Sequence, residues 1–420
     1  MIKQFFLKLV DGFIYGLGFL LFSGIIGGTV WLLLPEYKAQ VITQKAAKLP
    51  VVNKVVPKKT VKEEAPSHIV KRFEAPRIAV PDDYTSITVS DTRTLNQAIS
   101  AARKTGGRYA IELADGHYNI GSTINIDVNH IMLLSKSGNP YDVTLNRGGQ
   151  GNLFRVSADH FYIDGVTLAG AGNHLIQVAG ESEASYTKVN NCIFYDSKEQ
   201  FIKVSYDRNK PNSKSYSGNI SNSIFEFRRG IAFQFYTGGI DALGGVDWLV
   251  ENNIFKDIAS PSKNISQHAV HFWANSEGTR VINNLFIDVD RAIGFGMPLS
   301  KNKNIIEYSH KNGLIAGNVI FHSDNGDPFG DTGIVLESNI NTKVEYNTVY
   351  FEHHYPNAIE YRFSNTESVM ISGNQTNRAI MSRDGASAEL SENVTTLSQA
   401  EFFDVFKKIS DRLGVVNLSK

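Results

Sequence analysis

The sequence predicts an all-β solenoid in which each turn of chain lays its strands in parallel on the turn before. Three observations predict it. First, a short motif recurs as Asn191-Cys-Ile-Phe194, Asn222-Ser-Ile-Phe225, Asn252-Asn-Ile-Phe255, Asn283-Asn-Leu-Phe286, Asn318-Val-Ile-Phe321 and Asn347-Thr-Val-Tyr350, its Asn positions 31, 30, 31, 35 and 29 residues apart. A period of that size marks a repeat architecture. Second, another apolar strand lies between copies: Gly230 to Phe235, Ala269 to Trp273, Ala292 to Gly296, Gly333 to Glu337 and Ala358 to Arg362. Third, Gly, Asn, Ser and Asp turns separate these strands, and no unit carries a helix-length 3.6-residue period. Helical repeats of similar length are therefore excluded.

The elements follow in chain order. Residues 1–12 are a tail. Residues 13–34 (FIYGLGFLLFSGIIGGTVWLLL) carry no charge, and at ~1.5 Å per residue they reach about 33 Å, enough to cross a bilayer core. Pro35-Glu36-Tyr37-Lys38 offers no small-x-small cleavage site, so the run reads as an uncleaved membrane anchor, not a signal peptide. Residues 35–80 read as a basic, proline-punctuated linker, mobile and extended, because no apolar period persists there. The solenoid is expected over 81–397. At its start, Thr94-Leu-Asn-Gln97 reads as a capping box opening a short helix with Leu95, Ala98, Ile99 and Ala102 on one face.

Within the solenoid the Ile and Phe columns should form the interior. The Asn column should turn the corners, because Asn tolerates the left-handed conformation and its amide can bond the Asn of the next coil. At the far end, Ser398-Gln-Ala-Glu401 is a second capping box. The amphipathic helix that follows, within 398–420, is expected to cover the open edge of the last coil.

These residues resemble the right-handed parallel β-helix repeat family, which includes chondroitinase-B-like, alginate and pectate lyases. Gly106-Gly107 leading into Ala110-Ile-Glu-Leu-Ala-Asp-Gly-His-Tyr118 is similar to the family's usual first coil. The resemblance spans roughly residues 93 to 395 and implies a single-stranded right-handed parallel β-helix. It is specific for fold only, since the fold hosts lyases, hydrolases and non-enzymes. The Asn-Thr-Asp, Asp-Asp and Gly-His-Gly series of polygalacturonase-like hydrolases and the Arg-x-Pro-x-x-Arg of pectate lyases are both missing.

Alternate positions of the second strand must face outward. One outward column reads His271, Gly294, Val335, Glu360, Met381; the next reads Trp273, Gly296, Glu337, Arg362, Arg383. Two glycines would floor a groove between an aromatic–imidazole wall and a charged wall. The resemblance implies that a sugar-binding groove lies on this kind of sheet. Glu337 and Glu360 stand diagonally at roughly 8 Å, within the ~6.5–9.5 Å of inverting glycosidase carboxylates. For a lyase, His271 could supply the base and Arg291, Arg362 and Arg383 the cations, with Lys203 as another candidate. His268 and His271 should face opposite sides of a flat strand. Asp241 and Trp248 lie in an insertion similar to one in other bacterial family members, where Trp248 could stack on a sugar or pack in the core. Asp324, Asp327 and Asp331 make an oxygen-rich loop that Ca²⁺ would suit, without EF-hand spacing. No other cofactor is expected.

One cysteine, Cys192, excludes an intrachain disulfide framework and a Cys-based zinc site. The formal net charge is zero, with 42 Lys+Arg against 42 Asp+Glu, but the halves differ. Residues 1–80 hold 12 basic and 5 acidic residues, so the remainder, at 30 and 37, is acidic. An acidic body argues against nucleic acid and leans towards a neutral glycan. The expectation is thus a membrane-anchored β-helix protein, outside the cytoplasm, that binds and cleaves or modifies a polysaccharide by lyase or hydrolase chemistry. The alternative is a non-catalytic glycan-binding or adhesive solenoid. The oligomeric state is left open.

Overall fold

The computed structural model describes residues 68–299 and 306–417. The expected tail, membrane span and first part of the linker lie outside these residues. Among the described residues no helix is long and apolar enough to cross a membrane.

Three long parallel sheets wrap a single hydrophobic interior, and each strand pairs with its equivalents one coil before and after. Along a coil the chain visits sheet A (for example Leu249–Glu251), sheet B (Ile254–Lys256) and sheet C (Val270–Trp273), then returns to sheet A (Arg280–Ile282). Sheet A has 12 strands, and sheets B and C have 10 each; a fourth, 5-stranded sheet of two-residue strands lines one corner. This is a parallel β-helix. Phe194, Phe225, Phe255 and Phe286 stack inside at 4.4, 4.7 and 4.9 Å between successive ring centroids, all fully buried.

The repeat alignment slips by one residue in the later coils. Phe286 pairs with Ile320, not Phe321, and Ile320 pairs with Val349. A one-residue shift flips a strand's faces, so Phe321 and Tyr350 point out of the solenoid. The Asn role expected of one position is divided between two. Asn191, Asn222, Asn252 and Asn283 take φ of 51–59° and turn the corner, a position filled later by Gly317 and Gly373. The next position carries the ladder Asn253, Asn284, Asn318, Asn347 and Asn374, all buried, ending at the half-buried Asn393. In it the amide oxygen of every Asn after the first accepts from both the backbone N–H and the side-chain Nδ2 of the Asn one coil earlier, at 2.9–3.0 Å, and that of Asn253 accepts from Ser223 N at 2.9 Å. The Asn is thus a full partner to the backbone ladder, which is why it can be buried without leaving a polar group unsatisfied.

The first helix, α1 (Thr92–Thr105), begins before the expected box. Asp91 is its N-cap, accepting from Thr94 N at 2.6 Å while the Thr94 hydroxyl accepts from Asp91 N at 3.1 Å. The expected face, Leu95, Ala98, Ile99 and Ala102, is buried over the first coils.

The second helix, α2 (Gln399–Arg412), has the expected Ser398/Glu401 box but not the expected place. It lies along the outer face of sheet B. Ile193, Ile224, Ile254, Leu285 and Val319 form an outward apolar column there, and Phe402, Ile409 and Leu413 bury it together with Ile69. Phe402 stacks on Phe321 at 5.5 Å and on Tyr350 at 5.0 Å. The slipped register supplies the aromatic partners that draw the helix to the flank. Among the described residues nothing caps the last coil: Leu390, in the inward column, is 48% exposed.

The final stretch of the expected linker, 68–80, is part of this flank. Val70–Lys71 pairs antiparallel with Val415–Asn417. Lys71 Nζ donates to Asn222 O at 2.8 Å, Ile78 N to Asp164 Oδ2 at 2.6 Å, and Asn190 Nδ2 to Pro76 O at 3.0 Å. Extended chain without an apolar period is held by hydrogen bonds to the solenoid's side, which composition does not reveal.

Candidate functional site

Sheet C carries the candidate residues on its outer face, between two rims of loops. Segments 228–237, 257–269, 323–333 and 352–356 bring the chain from sheet B to sheet C; segments such as 206–214 and 363–368 lead it away. The first expected column holds, and the second holds from Gly296 onward, with Trp273 paired to Leu243 of the coil before. Lys203, Asp241, His271, Gly294, Val335, Glu360 and Met381 are successive cross-coil partners, and so are Gly296, Glu337, Arg362 and Arg383. In the coil of Asp241 the strand is Gly238–Leu243; the expected strand at 230–235 is a loop.

At one end, Asp241 organises its neighbours. It accepts from Trp273 Nε1 at 2.7 Å and from Lys203 Nζ. The indole is sandwiched, with His271 parallel beneath it at 5.5 Å and the Arg208 guanidinium over it at 5.5 Å. A dipolar indole N–H fixed on a buried carboxylate has one orientation, so Trp273 offers an apolar sugar face a preorganised surface once the exposed Arg208 side chain swings off its outer face.

The His271 assignment does not survive the packing. Its side chain is 3% exposed, and its Nε2 lies 2.9 Å from Gly296 O, so that nitrogen carries the proton and donates. Burial lowers its pKa, opposed by Asp241 at 3.7 Å. A neutral ring sealed under Trp273 cannot reach a substrate proton. His268 is not on the opposite side either. It precedes the strand, its ring lies 4.5 Å from that of His271, and it covers Gly294, where an added Cβ would meet the ring at 2.8 Å. Gly294 is therefore space for His268, not groove floor. Gly296, at φ 88°, is required by the close approach of the Glu337 carbonyl.

At the other end, Arg362 bridges Glu337 Oε1 at 3.1 Å and Asp384 Oδ2 at 3.1 Å. Burial holds the Glu337 carboxyl above its usual range, with Arg362 and Arg291 opposing the shift. Glu360 is sealed: it accepts from Tyr355 Oη and Asn357 Nδ2 at 2.7 Å and from Arg383 Nη1 at 2.8 Å. With every acceptor engaged and 1% exposure, it ties a rim loop to the sheet and is unsuited to activating water. The expected carboxylate pair is thus one reachable acid and one structural anchor. Trp248 is fully buried, its Nε1 donating to Ser215 O at 3.0 Å and its ring 6.0 Å from Phe272. It is core, not a sugar platform.

The acidic loop does not converge. Asp331 faces Arg291 at 3.9 Å, Asp327 accepts from Phe329 N at 2.9 Å, and Asp324 N donates to Glu352. Among the described residues no group of three His, Cys, Asp or Glu side chains is arranged to hold a metal. The expected Ca²⁺ set of Asp324, Asp327 and Asp331 is not formed.

Sequence reasoning missed Asp290, on the same rim. Its Oδ2 accepts from Ser260 N at 3.0 Å and Ser266 N at 2.9 Å, while its buried Oδ1 has no protein partner. Burial pushes the carboxyl up to about 7 from 3.8. The folded pKa exceeds the unfolded one, so the stability this group contributes is fully present below about pH 4 and is lost as pH rises through about 7. Asp290→Asn should therefore flatten the pH dependence of the melting temperature between those limits and raise it at pH 8. An unchanged slope in melts at pH 5 and pH 8 would contradict this.

No family model matches the chain, and no curated protein matches it. Among solved structures, it is similar to an alginate lyase from Paenibacillus sp. str. FPU-7, with 15% identity, TM-score 0.48, and 73% of this chain and 97% of that one covered. It is also similar to PfbA, a surface adhesin of Streptococcus pneumoniae, at 13% identity and TM-score 0.45, covering 72% and 85%. A third is the catalytic domain of a GH87 α-1,3-glucanase, at 14% identity and TM-score 0.39, covering 78% and 68%.

Proposed function

We propose that this chain binds a polysaccharide across the outer face of sheet C and hydrolyses it, with Glu337 as proton donor. The supporting observation is the set of part-exposed side chains on that face: Lys203, Trp273, Arg291, Glu337, Arg362 and Arg383. Their charges are matched by carboxylates, Lys203 with Asp241, Arg291 with Asp331, Arg362 with Glu337 and Asp384, Arg383 with Glu360. A surface neutralised pair by pair suits an uncharged glycan better than a polyanion. Glu337 is a part-buried carboxyl whose pKa burial raises against the pull of Arg362, and upward is the direction a general acid needs. The 13–34 anchor would hold this domain at a cell-envelope membrane, outside the cytoplasm, where such glycans lie.

The second reading is a glycan-binding solenoid without catalysis. The sealing of Glu360 favours it, because that leaves Glu337 without the expected partner. Screening neutral and acidic glycans for both retention and new reducing ends separates the two. Under the catalytic reading Glu337→Gln keeps retention and loses about 100-fold or more in cleavage rate. Retention with no new ends in the wild type would support the binding protein, and unsaturated products would support a lyase.

A further inference from the structure

The loop 228–237 holds three exposed aromatic side chains in four residues: Phe233 at 44%, Phe235 at 42% and Tyr236 at 41%. Aromatic rings on a monomer's surface are ordinarily buried in part against neighbours or scattered singly. This group is neither loose nor scattered. Ala232 N donates to Ala259 O at 2.9 Å in the coil ahead, and Gln234 Nε2 to Lys198 O at 2.8 Å in the coil behind. Thr237 Oγ1 donates to Glu199 O at 3.3 Å, and Phe233 sits edge-on to buried Phe227 at 6.2 Å. The backbone is fixed on both sides while the rings stay in solvent. Holding apolar rings out on a rigid loop keeps the ordering cost low when something flat and apolar stacks on them.

The loop runs directly into Gly238–Leu243, the strand that carries Asp241. Leu243, at the far end of that strand, pairs with Trp273 in the next coil. Aromatic surfaces therefore stand at both ends of one strand length, roughly 20 Å apart at ~3.3 Å per residue. Between them lie Lys203 and Asp241. Arg228 is already paired to Asp196 at 2.5 Å, and Arg229 lies on the Phe233 face at 5.1 Å. With Arg228 neutralised and Arg229 laid on a ring, Phe235 and Tyr236 are the open surfaces, and the loop offers flat hydrocarbon with one cation in place of the basic cluster a lipid phosphate surface would call for.

We infer that Phe233, Phe235 and Tyr236 form an outer glycan subsite, and that the bound polysaccharide runs along the strands of sheet C, across the solenoid axis, from this rim to Trp273. The inference rests on the reading of sheet C as a glycan site and adds the direction and extent of the bound chain. It requires that long chains span both platforms while short ones use Trp273 alone.

The test uses full-length protein in detergent, run through native gels containing laminarin, dextran, soluble starch or polygalacturonate. Oligosaccharides of the retained glycan, in increasing length, then compete. Phe235→Ala/Tyr236→Ala should weaken retention by the polymer about tenfold, the loss of two ring contacts, and leave the affinity for the shortest oligosaccharides unchanged. Phe235→Trp should retain binding, and Tyr346→Ala, an exposed ring on another corner at 66%, should change nothing. Melting curves of the variants should overlay the wild type. A wild type retained by no glycan overturns the reading of sheet C itself. A retained wild type with the double variant retained equally, or with all oligosaccharide lengths weakened alike, overturns the subsite alone.

Discussion

Phe402→Ala is expected to lower the stability of the domain by about 3–5 kcal/mol, the range for emptying a fully buried aromatic site. Phe402 has no exposed surface and stacks on Phe321 and Tyr350. Its loss would leave a cavity lined by rings that otherwise face water. The same helix leads to Val415–Asn417, the strand that holds Val70–Lys71, so detaching it also releases the chain upstream of the first coil. Chemical denaturation followed by far-ultraviolet circular dichroism measures the shift. Limited proteolysis distinguishes the mechanism, since cleavage near residues 68–80 should appear before cleavage within the coils. A loss under 1 kcal/mol would mean that the helix is dispensable to the solenoid.

The second large effect is expected at Asn318. Its Nδ2 donates to Val281 O at 2.9 Å and to Asn347 Oδ1 at 2.9 Å, and its Oδ1 accepts from Asn284 N and Nδ2, both at 3.0 Å. Asn318→Ala strips side-chain bonds from the coils on either side in a dry interior, which should cost roughly 3–5 kcal/mol. Asn318→Asp is the sharper probe because it changes the shape little. A carboxylate there can accept from Asn284 but would confront the Val281 and Asn347 oxygens, so only its protonated form fits. The folded pKa of the new acid must rise above its unfolded value, and the variant should be closest to wild type at pH 4 and furthest from it at pH 8. Equal deficits at both values would show that the ladder is held by shape, not by donors.

Much of the fold was legible because it is periodic. Asn, Ile and Phe recur at fixed intervals, and a period constrains the answer more tightly than any local propensity. The registers of sheet C, including Glu337 beside Arg362, follow from alternation alone. What could not be read were the places where two regularities compete. Phe286 and Phe321 occupy the same slot in the written motif, yet face opposite ways, because Gly317 takes the corner one residue early and moves Asn318 into the ladder. No local pattern announces that exchange; it is settled by whether the Asn can bond across the coil. The helix at 399–412 was recognisable from its capping box, but its destination depended on the outward rings that the slip creates.

The site was less legible for a related reason. Outward-facing is not the same as exposed. Alternation placed His271 and Glu360 on the outer face correctly, but their burial comes from Trp273 and from Tyr355, Asn357 and Arg383, whose reach no strand pattern encodes. Trp248 was ambiguous between core and surface, and only its contact with Ser215 in the preceding coil resolves it. The rim aromatics were misread as a strand, since Phe233 and Phe235 alternate like one.

The flank helix also works as a ruler. Gln399, at its start, holds Glu352, and Arg412, at its end, donates to Asn283 O at 3.0 Å. Its fixed length therefore counts out the coils from Asn283 to Glu352, and a unit duplicated between them would break the match at one end. Among the described residues no such gauge lies beyond Asn393, and the last coil presents the same kind of edge that every coil presented to its successor. Adding or removing a coil would therefore disturb the flank contacts between Asn283 and Glu352 and leave them untouched beyond Asn393.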